Sequence, residues 1–249
     1  MQWLRRITMP LVNAIWPPNC PICQRATSEI LCSHCQRQIN ACRDPQFFQP
    51  DAPISPEIPL FSWGIYDGPL KRAIATCKYD GNPNIAKFLG QAIGETWRTH
   101  PSPLTGSDKA KIKPWVISIP LHPEKLKSRG FNQAAILADG FAEITGLKHQ
   151  PQLLERIKNT KAQMQTTSKA ERIANLAGAF TVNQALAQRL HHQTKSPHSP
   201  TVILLDDIYT TGATITEAIK ALAQSNIAVG AVTVLSRPVV TKPKTRLKP

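Results

Sequence analysis

Val202-Ile203-Leu204-Leu205-Asp206-Asp207-Ile208-Tyr209-Thr210-Thr211-Gly212-Ala213-Thr214 is the stretch whose reading decides the fold. Four apolar residues of high β propensity come first, bounded by Ser199-Pro200 and by acids, and predict a short buried strand. Two carboxylates close the strand. Thr, Gly and Ala follow, small enough for backbone N–H groups to approach a ligand closely. Ile215 to Leu222 then has helical spacing, so the small-residue loop feeds a helix N-terminus. Unpaired N–H groups and a partial positive charge there suit a phosphate. Acids beside a phosphate cradle fit a ligand that also carries hydroxyls or a cation. A ribose 5-phosphate has that chemistry.

Working outward, a second strand-like run is Trp115-Val116-Ile117-Ser118-Ile119-Pro120. It is followed by Leu121-His122-Pro123, by Lys125, Lys127 and Arg129, and by Gly130-Phe131-Asn132-Gln133. Ligands of open α/β sheets bind at strand C-termini, and cations with a glycine there suit a pyrophosphate. A helix is expected from Gln133 to Thr145, stopped by Gly146. Further strands are expected at 60–66, 179–182 and 227–235, and helices at 69–79, 85–98, 183–192 and after the opening motif. The pattern is an α/β domain with a Rossmann-like parallel sheet.

Residues 150–178 carry Arg156, Lys158, Lys161, Gln163, Gln165, Lys169, Arg172 and Asn175 with little apolar content. They read as a basic hood over the site, or as a plain charged helix pair. Residues 191–198 are His-rich and read as an exposed loop.

Near the start, Cys20-Pro-Ile-Cys23 and Cys32-Ser-His-Cys35 give two CxxC pairs eight residues apart. Two such knuckles supply a tetrahedral set of four thiolates, which zinc prefers. With no open position, the site reads as structural. His34 reads as solvent-exposed, and Cys77 as a small buried apolar residue. Pro45 to Pro59 contains five prolines, which exclude helix and central strand. The expected division is a helix and four-cysteine zinc module at 1–50, a proline-rich linker at 51–60, the main domain at 61–238 and a basic disordered tail at 239–249.

The 249 residues are 41% hydrophobic, enough for a packed core, and carry a formal charge of +14. Residues 1–60 hold five arginines against four acids, so nearly all of the excess lies beyond them. That field attracts polyanions. No apolar run is long enough to span a bilayer, and the start lacks the apolar core of a signal peptide. The expected location is the cytoplasm, with reduced thiols.

The opening stretch resembles the 5-phosphoribosyl-1-pyrophosphate (PRPP) motif of the type I phosphoribosyltransferases. The 115–133 segment resembles their pyrophosphate loop, in which a cis peptide is implied at Pro120-Leu121 or Leu121-His122. The chain as a whole resembles the ComF/ComFC family with its GntX relatives. The residues carrying this are the CxxC pairs, Cys77-Lys78-Tyr79-Asp80-Gly81, Pro120-Leu121-His122-Pro123, Arg129 to Gln133, Arg156 with Gln163, Arg172-Ile-Ala-Asn175, Gly178-Ala179-Phe180 and Asp206 to Thr214.

The resemblance implies a type I phosphoribosyltransferase fold and a Mg2+–PRPP ligand. Asp206 and Asp207 would hold the ribose hydroxyls. Thr210, Thr211, Gly212, Ala213 and Thr214 would cradle the 5-phosphate. Leu121, His122, Arg129 and Lys78 would meet the pyrophosphate, with Arg156, Gln163 and Arg172 in the hood. It also implies a part in natural competence, with imported single-stranded DNA and competence-machinery proteins as partners. It names no acceptor for the ribosyl group. A non-enzymatic alternative is a DNA or partner binder whose PRPP site is a sensor or relic.

Overall fold

The computed structural model describes residues 18–49, 54, 58–100, 113–159, 175–194 and 199–238. The expected N-terminal helix, the basic tail, most of the proline-rich linker, and Gln163 and Arg172 lie outside them.

Six strands form the main sheet: β1 (Phe48–Gln49), β2 (Leu60–Ile65), β3 (Trp115–Ser118), β4 (Lys148–His149), and two longer ones at Thr201–Ile208 and Ala228–Arg237. A two-stranded antiparallel sheet pairs β5 (Leu154–Arg156) with β6 (Phe180–Val182), and the two long strands are therefore β7 and β8. The order across the main sheet is β1-β2-β8-β7-β3-β4, parallel throughout except for β1. The opening motif's strand, β7, is central. β2, from the N-terminal side of the domain, lies along β8, the last strand described.

Alternation along β7 divides the core. Ile203 and Leu205 face a cluster with Phe61, Trp63, Leu89 and Phe141. Val202 and Leu204 face another with Ile117, Leu190, Leu222 and Val232. Both faces are covered, which explains the unbroken apolar run at 202–205. The first face is covered by α1 (Ser33–Asn40), α2 (Gly68–Tyr79), α3 (Pro83–Thr99) and, beyond a short α4 (Pro123–Arg129), α5 (Gln133–Thr145). The second is covered by α6 (Gln184–Thr194), α7 (Ala213–Gln224) and the small sheet.

α3 and α5 approach backbone to backbone. A Cβ on Gly90 would lie 2.1 Å from the Leu137 carbonyl oxygen, and one on Gly140 would lie 2.3 Å from that of Lys87. Only glycine permits this crossing.

The cysteine segment shares the first core. Cys20, Leu31, Cys35 and Ile39 are buried with Phe47, Trp63 and Leu70. Its chain then runs along the edge of β2: Ile65 N donates to Cys42 O and Asp44 N to Trp63 O, each at 2.9 Å. Arg237 Nη2 donates to Asp44 Oδ2 at 3.3 Å. His34 is half-buried, not fully exposed. His191 and His192 lie on α6, not in a loop. Described peptide bonds are all trans, Pro120–Leu121 and Leu121–His122 included, contrary to the expectation from the resemblance. Among the described residues no helix is long and apolar enough to cross a membrane.

Candidate functional site

The C-terminal ends of β2, β3, β7 and β8 share one edge of the sheet, and a cavity of about 410 Å3 opens there. It is built from four directions. β7 ends in Asp206 and Asp207. The following turn contributes Tyr209, Thr210 and Gly212, and α7 begins with Ala213 and Thr214. The end of β3 supplies Leu121, with Lys125 and Arg129 from α4 behind it. α2 supplies Lys78. Arg156 and Asn175 line it from the second face.

Gly212 caps α7 with a left-handed φ of 75°, and a Cβ there would lie 2.6 Å from the Tyr209 hydroxyl. The turn thus needs glycine twice over, for conformation and for space. This brings the first turn of α7, with its N–H groups, to the cavity wall.

Successive side chains of a strand point to opposite faces. Asp207 turns to the α2 side and pairs with Lys78. Asp206 turns the other way, where the Arg156 charge acts on it. Its Oδ1 accepts from Asp207 N at 2.8 Å. Burial, then the Asp207 charge, pushes the Asp206 carboxyl up to about 7. Burial would lower the Lys78 ammonium, but the Asp207 charge and hydrogen bond hold it above its ordinary value. Burial lowers Arg156, and burial with the Arg156 and Arg129 charges lowers Lys125. Cations and acids thus crowd one partly desolvated space, which suits a ligand bearing both anionic groups and hydroxyls.

Of the residues expected from sequence, Asp206, Asp207, Thr210, Gly212, Ala213, Thr214, Leu121, Arg129, Lys78 and Arg156 line this cavity. Thr211 and His122 do not. Thr211 Oγ1 accepts from Ala213 N at 3.5 Å. Residues 123–129 form a helix where a loop is expected, and His122 caps it, Nδ1 accepting from Glu124 N at 3.3 Å. Lys127, on the same helix, is also not in the wall. Tyr66, Asn132, Gln133 and Tyr209 line the cavity as well; the last three belong to the motifs above, which gave them no role of their own. Asn132 and Gln133 directly follow the strand–loop signal. Tyr66 had the weaker one of lying just beyond a strand end.

Cys20, Cys23, Cys32 and Cys35 bring their sulfurs within 4.8 Å of one another, the metal-competent group among the described residues. Cys23 and Cys32 sulfurs are 3.5 Å apart. Four sulfurs around one zinc would be about 3.8 Å apart, so the cluster fits. Burial would raise the Cys20 thiol, but backbone hydrogen bonds at Cys32, Ile22 and Cys23 bring it to about 6. A backbone hydrogen bond at Cys35 lowers Cys32, while burial and the neighbouring thiols raise Cys35. All six cysteines among the described residues are free.

Known proteins are similar to this chain over much of its length. The phosphoribosyl transferase domain family matches residues 126–248. Competence protein F of Haemophilus influenzae is 27% identical over 168 residues, 66% of each chain. Competence protein ComFC of Bacillus subtilis is 26% identical over 207 residues, covering 82% of this chain and 71% of that one. DNA utilization protein YhgH of Salmonella typhimurium is 26% identical over 240 residues, covering 91% and 92%. Adenine phosphoribosyltransferase from Saccharomyces cerevisiae aligns over 83% of this chain and 89% of its own, at 14% identity and a TM-score of 0.35.

The parallel sheet, the cavity at its strand ends and the matched domain define a phosphoribosyltransferase-like protein of type I fold, with four clustered cysteines at its N-terminal side. Within that class, the relatives the chain resembles are competence proteins F and ComFC and DNA utilization protein YhgH.

Proposed function

We propose that the strand-end cavity binds PRPP, or another phosphoribosyl ligand, together with Mg2+, and that the protein is a phosphoribosyltransferase of unassigned acceptor acting in natural competence. The observation that carries this is the opposition of Asp206 and Asp207 to Arg129, Lys125 and Arg156 across one cavity floored by the Gly212 turn.

The 5-phosphate sits on the Thr210–Thr214 turn, against the N-terminus of α7. Asp206 and Asp207 accept the ribose hydroxyls and face the positive charge that grows at C1. Arg129, Leu121 and Lys78 meet the pyrophosphate, with Arg156 above. Lys78 is held by Asp207 before binding, so ligand entry exchanges that ion pair for contacts to the ligand. In the transfer, the bond from C1 to the pyrophosphate oxygen breaks, the pyrophosphate keeps the electron pair, and the acceptor's lone pair forms the new bond to C1. Magnesium would be held mostly by ligand oxygens and water, and would supply charge neutralisation on the pyrophosphate. His122 and Thr211 act as caps of the surrounding backbone. Gln163 and Arg172 stay assigned to the hood.

The four cysteines hold a structural Zn2+, with all four positions filled by protein. We assign the protein to the cytoplasm, where such thiols stay reduced, with single-stranded DNA and competence-machinery proteins as partners. The names of the relatives support this context.

The test is calorimetric titration of the full chain with PRPP and Mg2+, followed by pyrophosphate release across a panel of nucleobases. Binding that disappears in Asp206→Asn/Asp207→Asn supports the site. No heat and no thermal shift would sink it. The charge excess beyond residue 60 favours a second, non-catalytic reading, a DNA or partner binder with the PRPP site as sensor. PRPP binding without pyrophosphate release, combined with DNA binding that weakens steeply with salt, would favour it.

A further inference from the structure

Tyr209 directly follows β7 and lines the cavity. Its backbone is tied to the sheet, because Tyr209 N donates to Ser236 O at 2.9 Å. Its ring packs against the core of the second face. From there it reaches over the turn. The hydroxyl lies 2.6 Å, and two ring carbons 3.0 and 3.1 Å, from where a Cβ on Gly212 would stand. Gly212 caps α7, and its missing side chain lets the hydroxyl come this near. A side chain held at its backbone and along its ring is placed before any ligand arrives.

Packing alone does not call for the oxygen, since a phenylalanine ring would fill the same place. Burial is what acts on the hydroxyl, raising it above its ordinary value, so it keeps its proton and stays a donor. Beside it are the N–H groups of the first turn of α7, which have no acceptor within the helix. Ala213 N reaches Thr211 Oγ1 only at 3.5 Å. Ala213, Thr214 and Ile215 all stand in the cavity wall. An O–H next to N–H donors, at the positive end of a helix, suits an anion with several acceptor oxygens.

We propose that Tyr209 is a specificity-determining residue of this cavity, its hydroxyl donating to an oxygen of the sugar 5-phosphate beside the Thr210–Thr214 turn. This rests on the PRPP reading and adds to it a residue that selects a phosphorylated sugar over a free one. A sugar with a bare 5-hydroxyl leaves the Tyr209 hydroxyl and the N–H groups of α7 short of acceptors, and a site built from donors rejects such a ligand. The pyrophosphate end stands on Leu121 and Arg129, beyond the end of β3, and does not depend on Tyr209.

The test is calorimetric titration of the full chain, wild type and Tyr209→Phe, with ribose 5-phosphate, with ribose and with pyrophosphate, each with Mg2+. Tyr209→Phe keeps the ring and removes only the oxygen, so its melting temperature without ligand is expected to match wild type. Its affinity for ribose 5-phosphate is expected to fall about tenfold, as for one hydrogen bond to a charged group, with pyrophosphate affinity unchanged. Ribose is expected to bind far more weakly than ribose 5-phosphate to the wild type. An unchanged affinity for ribose 5-phosphate in Tyr209→Phe overturns the assignment. An equal loss for both fragments also overturns it, because a loosened cavity weakens both; this comparison still decides if the variant melts lower. Wild-type binding of pyrophosphate without ribose 5-phosphate removes the 5-phosphate position and the role of Tyr209 with it. If the wild type binds neither fragment, the PRPP reading itself fails.

Discussion

Asp206 and Asp207 are adjacent, yet their side chains leave β7 toward opposite faces. A carboxyl raised from 3.8 to about 7 holds its proton more tightly in the folded chain than in the unfolded one. Its contribution to stability is greatest below about pH 4, falls as pH rises to about 7, and is level above that. The shift corresponds to roughly 4 kcal/mol, and partial solvent contact reduces this to about 2. Asp206→Asn removes the charge and keeps the oxygen that accepts from Asp207 N. Melting temperatures at pH 4 and pH 8 check this: the variant should match wild type at pH 4 and melt about 5 °C higher at pH 8. An equal gain at both pH values would show that the charge is not the cause.

Ser118, His149 and Asp139 present another case where geometry must be weighed against access. His149 Nε2 lies 3.0 Å from Ser118 Oγ, and its Nδ1 lies 2.7 Å from Asp139 Oδ1. The order is that of a hydrolase triad. Ser118, however, is 1% exposed and lines neither cavity. The arrangement ties β3, β4 and α5 together. A fluorophosphonate probe should therefore leave Ser118 unlabelled, and Ser118→Ala should cost about 1 kcal/mol in urea unfolding.

At the scale of elements, α3 against α5 and the turn before α7 decide where the site residues stand. The α3–α5 crossing leaves no room for a methyl group at Gly90 or Gly140. Gly140→Ala pushes a Cβ against the Lys87 carbonyl oxygen, which is backbone and cannot move aside cheaply. The expected loss is about 3 kcal/mol, read from denaturant unfolding. Gly212→Ala meets both a left-handed backbone and the Tyr209 ring. On the proposed PRPP reading it should weaken that binding at least tenfold while the far-UV spectrum stays native, because the strain falls on a turn outside the sheet. The helix at 123–129 was not legible, since Pro123, Lys125 and Lys127 read as loop chemistry. Proline suits a first helical turn, and His122 completes the cap. His122, as that cap, is not in the cavity wall.

For the whole molecule, the cysteine segment is joined to the main sheet by core and backbone contacts. Its buried thiols lie in one cluster with Phe47, Trp63 and α2, the helix that carries Lys78. On the proposed zinc reading, removing the metal with a chelator should lower the melting temperature of the entire chain in a single transition. On the proposed PRPP reading it should also weaken that binding, because the cysteines share a core with α2. Two separate transitions in calorimetry would instead show an independent module. The charge excess acts at this scale too, through a field that depends on ionic strength.

The order of elements was legible because each carries its own local signal. β7 has an apolar run with acids at its end. α5 has helical spacing stopped by Gly146, and the cysteine pairs keep knuckle spacing. These signals depend on neighbours within a few residues, and the chain alone determines them. The tertiary structure decided what lies side by side across long separations. It laid β2 along β8, bringing Tyr66 to the cavity. It set Lys78 against Asp207 and Gln133 behind both. Strand order and helix crossing fix such contacts, and neither leaves a periodic trace in the sequence.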